Sequence, residues 1–290
     1  MADLDPDAAA FLDATKDAPR IQHGTPQEAR DNHVASAQKL AGSGPEMESV
    51  ADHTVDGVPV RRYRPAAAAG TTVYVHGGGW VVGNLETYDT LCRELAASSG
   101  STVLSVGYDL APEARHPRPV EQVMAVLRAT VPGGGQVAIA GDSAGGYLAA
   151  LAAQLCQDEG LPLAAQGLIY PCIDPALDTV SAKENAAGYY LETDGMRWYW
   201  SHYLGDGAAS ALVARPGLPP TYVLIAGFDP LRDEDRTYAD ALEAAGVPVT
   251  RIEYDGQIHG FVRFTAAIAA ARPALYELGA FLREHLRRSN

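Results

Sequence analysis

Val137-Ala138-Ile139-Ala140-Gly141-Asp142-Ser143-Ala144-Gly145-Gly146-Tyr147-Leu148-Ala149-Ala150-Leu151 decides the reading of this chain. Its first four residues form a short apolar run, suited to a strand buried on both faces. The residues from Tyr147 onward read as an apolar helix. Between them lies Gly-Asp-Ser-Ala-Gly, with glycine two positions before and two positions after the serine. A strand that turns directly into a helix around a serine makes a tight, strained corner that leaves room only for small residues at those flanking positions. Such a corner would present the Ser143 hydroxyl at the strand end. The competing readings are an ordinary strand-to-helix glycine turn and a phosphate-binding loop. No Gly-Lys-Ser/Thr is present, so a P-loop is excluded.

Outward from this stretch the same alternation repeats. Short apolar runs lie at 71–75, 102–106, 167–170 and 222–226, with a further strand-like run at 249–254. Helical patterns fall near 86–99, 118–130, 143–158 and 233–245, the last stopped by Gly246 and Pro248. Residues 58–64 alternate like an outer strand, and a terminal helix is expected from about 263 to 288. Strand and helix in turn predict an α/β protein with a mainly parallel central sheet flanked by helices.

Two segments break the pattern. Residues 1–46 read as weakly helical, are interrupted by Pro19 and Pro26, and are too polar to form a core. Residues 174–216 hold no buried-strand pattern but carry Tyr189, Tyr190, Trp198, Tyr199, Trp200 and Tyr203. They read as a helical insertion over the carboxyl ends of the strands, where open α/β sheets place their ligands. The expected organisation is an N-terminal helical cap segment at 1–46, a core at 47–173, an inserted cap at 174–216, and a second part of the core at 217–290.

The 290 residues are 47% hydrophobic with a formal net charge of −14, which disfavours nucleic acid and anionic membranes as partners. The three cysteines form no Cys-x-x-Cys pair and read as small core residues, so neither a disulfide framework nor a zinc site is expected. The start, Met1-Ala2-Asp3-Leu4-Asp5-Pro6-Asp7, is acidic, unlike a signal peptide, and no apolar stretch approaches a membrane span. The expectation is a reduced, cytoplasmic protein.

His76-Gly77-Gly78-Gly79-Trp80 directly follows the run at 71–75. Consecutive glycines let backbone N–H groups face a ligand, as acyl transfer requires for the negative oxygen of its tetrahedral intermediate. A further donor would be Ala144, the residue after the nucleophile. Gly133-Gly134-Gly135 precedes a strand instead and reads as a plain connection. In an α/β-hydrolase the acid and then the histidine follow the serine. Of His202, His259 and His285, only His259 sits at the end of a core strand before a helix. His76 comes too early in that order and reads as a holder of the glycine loop. Asp229 is the first carboxylate after 222–226, whereas Asp233, Glu234 and Asp235 read as the acidic first turn of a helix.

Together these residues resemble the bacterial hormone-sensitive-lipase-like family of carboxylesterases. The resemblance rests on His76-Gly77-Gly78-Gly79-Trp80, Tyr108-Asp109-Leu110-Ala111-Pro112-Glu113, Gly141-Asp142-Ser143-Ala144-Gly145-Gly146, Asp229-Pro230-Leu231-Arg232-Asp233 and Ile258-His259-Gly260-Phe261, in that order. It implies the α/β-hydrolase fold with a helical cap, a triad of Ser143, Asp229 and His259, and no metal or cofactor. It places the oxyanion donors on Gly78, Gly79 and Ala144. It also implies a small-molecule ester with a short to medium acyl chain as substrate. Trp80, Tyr189, Tyr190 and Trp198 are expected to line its pocket, and a homodimer is compatible with the pattern. Asp109 stands where the family often has Arg, Asp235 where it has Gly, and Gln257 where it has Met. An amidase or natural-product deacylase with the same triad is the main alternative, since kynurenine formamidases carry a similar loop. A binding protein like the gibberellin receptors is disfavoured, because those lack the histidine.

Overall fold

The protein is described by a computed structural model covering residues 3–207 and 211–287. Its strands are β1 (Ser49–Val55), β2 (Val58–Arg64), β3 (Thr71–Val75), β4 (Thr102–Val106), β5 (Val137–Asp142), β6 (Ala165–Ile169), β7 (Thr221–Phe228) and β8 (Val249–Ile258). They form one 8-stranded sheet in the order β1-β2-β4-β3-β5-β6-β7-β8. β1 and β2 are antiparallel to their neighbours; from β4 to β8 every pairing is parallel.

The strand order reverses at β3. The chain passes from β3 to β4 on one side and then returns to lay β5 on the other. That reversal opens a crevice at the carboxyl ends of β3 and β5. Val75 pairs with Gly141 there, so the glycine loop after β3 and the serine turn after β5 leave the sheet side by side.

Successive residues of β3 face opposite ways, which divides the core into two layers. Val73 and Val75 pack with α4 (Arg118–Thr130), α5 (Ala144–Asp158) and α8 (Arg232–Ala244); Tyr74 faces α3 (Asp89–Ser99) and α9 (Ala271–Leu286). The remaining helices are α1 (Pro6–Thr15), α2 (Pro26–Leu40), α6 (Val180–Glu184) and α7 (Thr193–Leu204). Thr25 and Glu28 close a reciprocal capping box at the start of α2. The N-terminal segment leans on the insertion, with Arg20 paired to Glu192 at 2.8 Å and Gln22 donating to Glu192 at 2.9 Å.

Three boundaries differ from the sequence reading. The strand at 58–64 is not outermost, because β1 covers it through a turn at Asp56-Gly57 with φ of 47° and 82°. β1 is half exposed and polar, so it lacks a buried-strand signature. The terminal helix begins at Ala271 rather than near 263, and its expected end at Arg288 lies outside the described residues. The intervening chain is held instead by the end of α2, with Ala266 N–H donating to the Leu40 carbonyl and the Thr265 hydroxyl to that of Ala41. Finally, β7 runs on to Phe228, so Asp229 follows the strand immediately.

The first turn of α8 carries three carboxylates with different surroundings. Asp233 accepts from Ser181 N–H at 2.7 Å and pairs with Arg232 at 2.8 Å, which docks α6. Glu234 is buried, and its Oε1 accepts the N–H groups of Ile173 and Asp174 at 2.7 and 3.3 Å. Asp235 is fully buried, and neither of its oxygens has a partner among the described residues. Burial pushes the Glu234 carboxyl up to about 8. The folded state therefore keeps a proton that the unfolded chain releases above its ordinary value of 4.5. The associated stability is complete below that pH, falls as pH rises towards 8, and is then gone; it amounts to something on the order of a few kcal/mol. Glu234→Gln keeps the accepting oxygen and removes the titration. In melting curves from pH 5 to 8, the wild type should lose stability relative to the variant as pH rises. Parallel curves would show that Glu234 is already ionised.

Candidate active site

Ser143 sits between the end of β5 and the start of α5 with φ 54° and ψ −123°. A non-glycine residue reaches that conformation only when its surroundings over-determine it. Here the Ser143 N–H donates to the Ile169 carbonyl at 2.8 Å, while its own carbonyl accepts Tyr147 and Cys172 N–H groups at 3.0 and 3.2 Å. The flanking glycines are required by contact. A Cβ at Gly145 would drive into the carbonyl oxygens of Val75 and His76, and one at Gly141 into that of Gly145.

The structure brings together Ser143, His259 and Asp229. Ser143 Oγ lies 2.9 Å from His259 Nε2, and His259 Nδ1 lies 2.6 Å from Asp229 Oδ2. With Nδ1–H donating to the carboxylate, Nε2 is free to accept the serine proton. All three are buried, at 7%, 6% and 0% exposure for Ser143, His259 and Asp229. Asp229 is further held by Leu231 N–H on Oδ1 at 2.9 Å and by Asn185, whose amide donates to the Asp229 carbonyl at 3.0 Å. Asn185 comes from the insertion and carries no motif that sequence could flag. His202 packs against Trp198, and His285 bonds the Phe281 carbonyl within its own helix.

Gly78, Gly79 and Trp80 turn the loop after β3 with φ of 110°, 57° and 62°. Among the described residues, the N–H groups of Gly78, Gly79 and Ala144 donate to no other group in the loop and turn network. His76 holds this loop: its Nδ1–H donates to the Gly77 carbonyl at 2.8 Å, its carbonyl accepts the Tyr108 hydroxyl at 2.8 Å, and its ring stacks on Tyr108. Burial pushes its pKa down to about 4, so the ring is neutral near pH 7. Asp142 has a role the sequence reading missed. Its Oδ1 accepts Gly77 N–H and the Tyr74 hydroxyl, both at 2.8 Å, and its Oδ2 accepts the Tyr88 hydroxyl at 2.9 Å. It thus ties the glycine loop to the serine turn. Its place beside Ser143, as a carboxylate at the end of an apolar strand, was the available signal.

The expected pocket residues occupy different places. Tyr190 lies over Gly260, next to His259, and meets Phe11 and Phe264 edge-on. Tyr189 rests on Phe228. Trp198 packs against Tyr199 and His202, and Trp80 is fully buried in a cluster with Trp200, Tyr203 and Tyr147. The ring seated directly on Gly79 belongs to Tyr199, which the sequence marks only as one aromatic of the insertion. Cys172 is a buried core residue, as the sequence suggests, and its Sγ is 3.7 Å from Ser143 Oγ. Asp109 and Gln122 bond reciprocally at 2.8 and 2.9 Å, and the Gln257 amide donates to Asp5 at 2.8 Å, fastening the N-terminus to β8. Among the described residues no His, Cys, Asp and Glu cluster suits a metal ion, and no helix is long and apolar enough to cross a membrane.

Comparison with known proteins shows the family. A profile of the alpha/beta hydrolase fold family matches residues 72–263. The ethyl acetate hydrolase of Pseudomonas putida is 34% identical, over 98% of this chain and 99% of its own. The carboxylic ester hydrolase LipN of Mycobacterium tuberculosis is 38% identical, over 89% of this chain and 78% of its own. Among solved structures, the ester hydrolase EH1AB1 from the metagenome of Lake Arreo superposes with a TM-score of 0.91 at 35% identity, covering 97% of this chain and 99% of that one. The chain therefore belongs to the α/β-hydrolase fold family, in its hormone-sensitive-lipase-like branch.

Proposed function

We propose that this chain is a serine carboxylesterase that hydrolyses short- to medium-chain acyl esters through an acyl-enzyme. The observation that carries the reading is the unbroken line from Ser143 Oγ through His259 to Asp229, set at the tip of a strained turn. Its relatives are ester hydrolases by name, and one acts on ethyl acetate.

In this reading Ser143 Oγ attacks the ester carbonyl carbon while His259 Nε2 takes its proton. The carbonyl oxygen becomes the oxyanion, facing the N–H groups of Gly78, Gly79 and Ala144, whose orientation is set by His76 and Asp142. Collapse releases the alcohol, which takes the proton back from His259. Water then repeats the sequence on the acyl-serine, giving up a proton to His259 and freeing the acid and Ser143. Asp229 keeps the imidazole in one tautomer and stabilises its charged form without being protonated. No step calls for a metal or cofactor. The segments 1–46 and 174–216 act together as the cap, with Tyr190 and Tyr199 narrowing the space above Ser143. An amide would pass through the same intermediate, and a paired ester and amide panel separates the two activities.

Ser143→Ala should abolish turnover of 4-nitrophenyl acetate and labelling by a fluorophosphonate, with melting temperature retained. Persistent labelling would remove Ser143 from the mechanism. For the acid, Asp229→Asn should lower kcat by about 10⁴-fold, as the comparable change does in a serine protease. Asp233→Asn, which only loosens the docking of α6, should act mainly on melting temperature. Loss of turnover in Asp233→Asn with normal turnover in Asp229→Asn would reverse the assignment. The narrowed space predicts higher kcat/KM for 4-nitrophenyl esters of roughly two to six acyl carbons than of about twelve. Tyr199→Ala should relax that limit, and a wild-type preference for the long chain would contradict it.

A further inference from the structure

The turn that follows β6 bears on two members of the triad. The Ile169 carbonyl accepts the Ser143 N–H at 2.8 Å, and the Cys172 N–H donates to the Ser143 carbonyl at 3.2 Å. Between these two residues stands Tyr170, whose ring packs on the imidazole of His259 with centroids 4.5 Å apart and planes tilted by 51°. At that separation two rings are too close to meet edge to edge, so one bears on the face of the other. Phe261 stands 6.1 Å from the same phenol, which is fully buried.

The backbone at Tyr170 is strained, with a φ of 33°. A bulky residue stays in that left-handed region only where its surroundings over-determine it. Here the Tyr170 N–H donates to the Leu224 carbonyl at 2.7 Å, and the carbonyl of the preceding residue is engaged by Ser143. The phenol hydroxyl has no partner among the described residues, so side-chain hydrogen bonding does not account for the strained position. What that position delivers is the ring, set against His259.

In the free protein the imidazole is tied at both nitrogens, to Asp229 Oδ2 at 2.6 Å and to Ser143 Oγ at 2.9 Å. Once Ser143 is acylated, its oxygen has no proton to give and the second tie lapses. Nε2 must nevertheless stay in place to draw a proton from the attacking water. A single hydrogen bond to Asp229 leaves the ring free to pivot, whereas a phenol packed against it resists that motion. We propose that Tyr170 is a positioning residue for His259, holding the imidazole beside Ser143 through the acyl-enzyme stage. The inference rests on the esterase reading and adds a residue to its machinery. If Tyr170 merely fills the core, its replacement will lower the melting temperature and leave the rate constants of the folded protein unchanged.

Stopped-flow release of 4-nitrophenolate from 4-nitrophenyl acetate separates acylation, read from the burst, from deacylation, read from the steady state. Tyr170→Leu keeps an apolar side chain but removes the ring. It should slow deacylation by about 10- to 100-fold and acylation by a much smaller factor. Tyr170→Phe loses no hydrogen bond to a described residue and should restore deacylation to within about 3-fold of wild type. Tyr170→Met takes the place of the Leu variant if that one fails to fold. A further measurement needs no variant. After a fluorophosphonate has blocked Ser143 in the wild type, nuclear Overhauser contacts between the ring protons of Tyr170 and His259 should persist. Loss of those contacts, equal slowing of both steps, unchanged constants in a folded Leu or Met variant, or failure of Phe to restore deacylation overturns the positioning role and leaves the esterase reading standing. Absence of turnover by the wild type overturns both.

Discussion

Gly145 lies against the carbonyl oxygens of Val75 and His76, and the arrangement around Ser143 is built on that contact. It is possible only because β3 and β5 pair in parallel with Val75 opposite Gly141, at the point where the strand order reverses. The backbone at Ser143 could not hold its left-handed conformation in a free peptide. Here β5, α5 and the end of β6 fix it from three directions, through the Ile169 carbonyl and the Tyr147 and Cys172 N–H groups. The strain at one residue is offset by a sheet whose strands are buried on both faces.

Buried charge is the second organising feature. Asp142 accepts from three donors that oppose the upward push of burial on its pKa, and in doing so joins the glycine loop, β3 and the start of α3 into one unit. Glu234 resolves it differently: its raised pKa keeps a proton, while one oxygen holds the chain after Cys172, whose sulfur touches Ser143 Oγ. Asp229 is satisfied by Leu231 N–H and His259. Arg263 meets Asp142 through the Tyr88 hydroxyl that both contact. Groups within a few residues of one another in sequence, such as Asp229, Asp233, Glu234 and Asp235, therefore differ in role because their surroundings differ, not because their chemistry does.

The fold class, the serine turn, the glycine loop and the strand-end positions of Asp229 and His259 were legible in the chain because each is a local event. Each is a short run of apolar residues followed by a turn whose chemistry is confined to neighbouring positions. The edge strand β1 was not legible, since a half-exposed polar strand has no burial pattern to betray it. The start of α9 was misplaced because the 263–270 segment is held by contacts with the end of α2, distant in sequence.

What the sequence by itself determined is the order of strands and helices and the residue types available for chemistry. Only the tertiary structure decided which of those residues meet. It set Tyr199 rather than Trp198 on Gly79, brought Cys172 to Ser143 and gave Asp142 its three donors. The physical reason is that side-chain direction on α7, and the packing of α2 against the turn after β8, depend on contacts between segments far apart in the chain. No local pattern encodes those contacts.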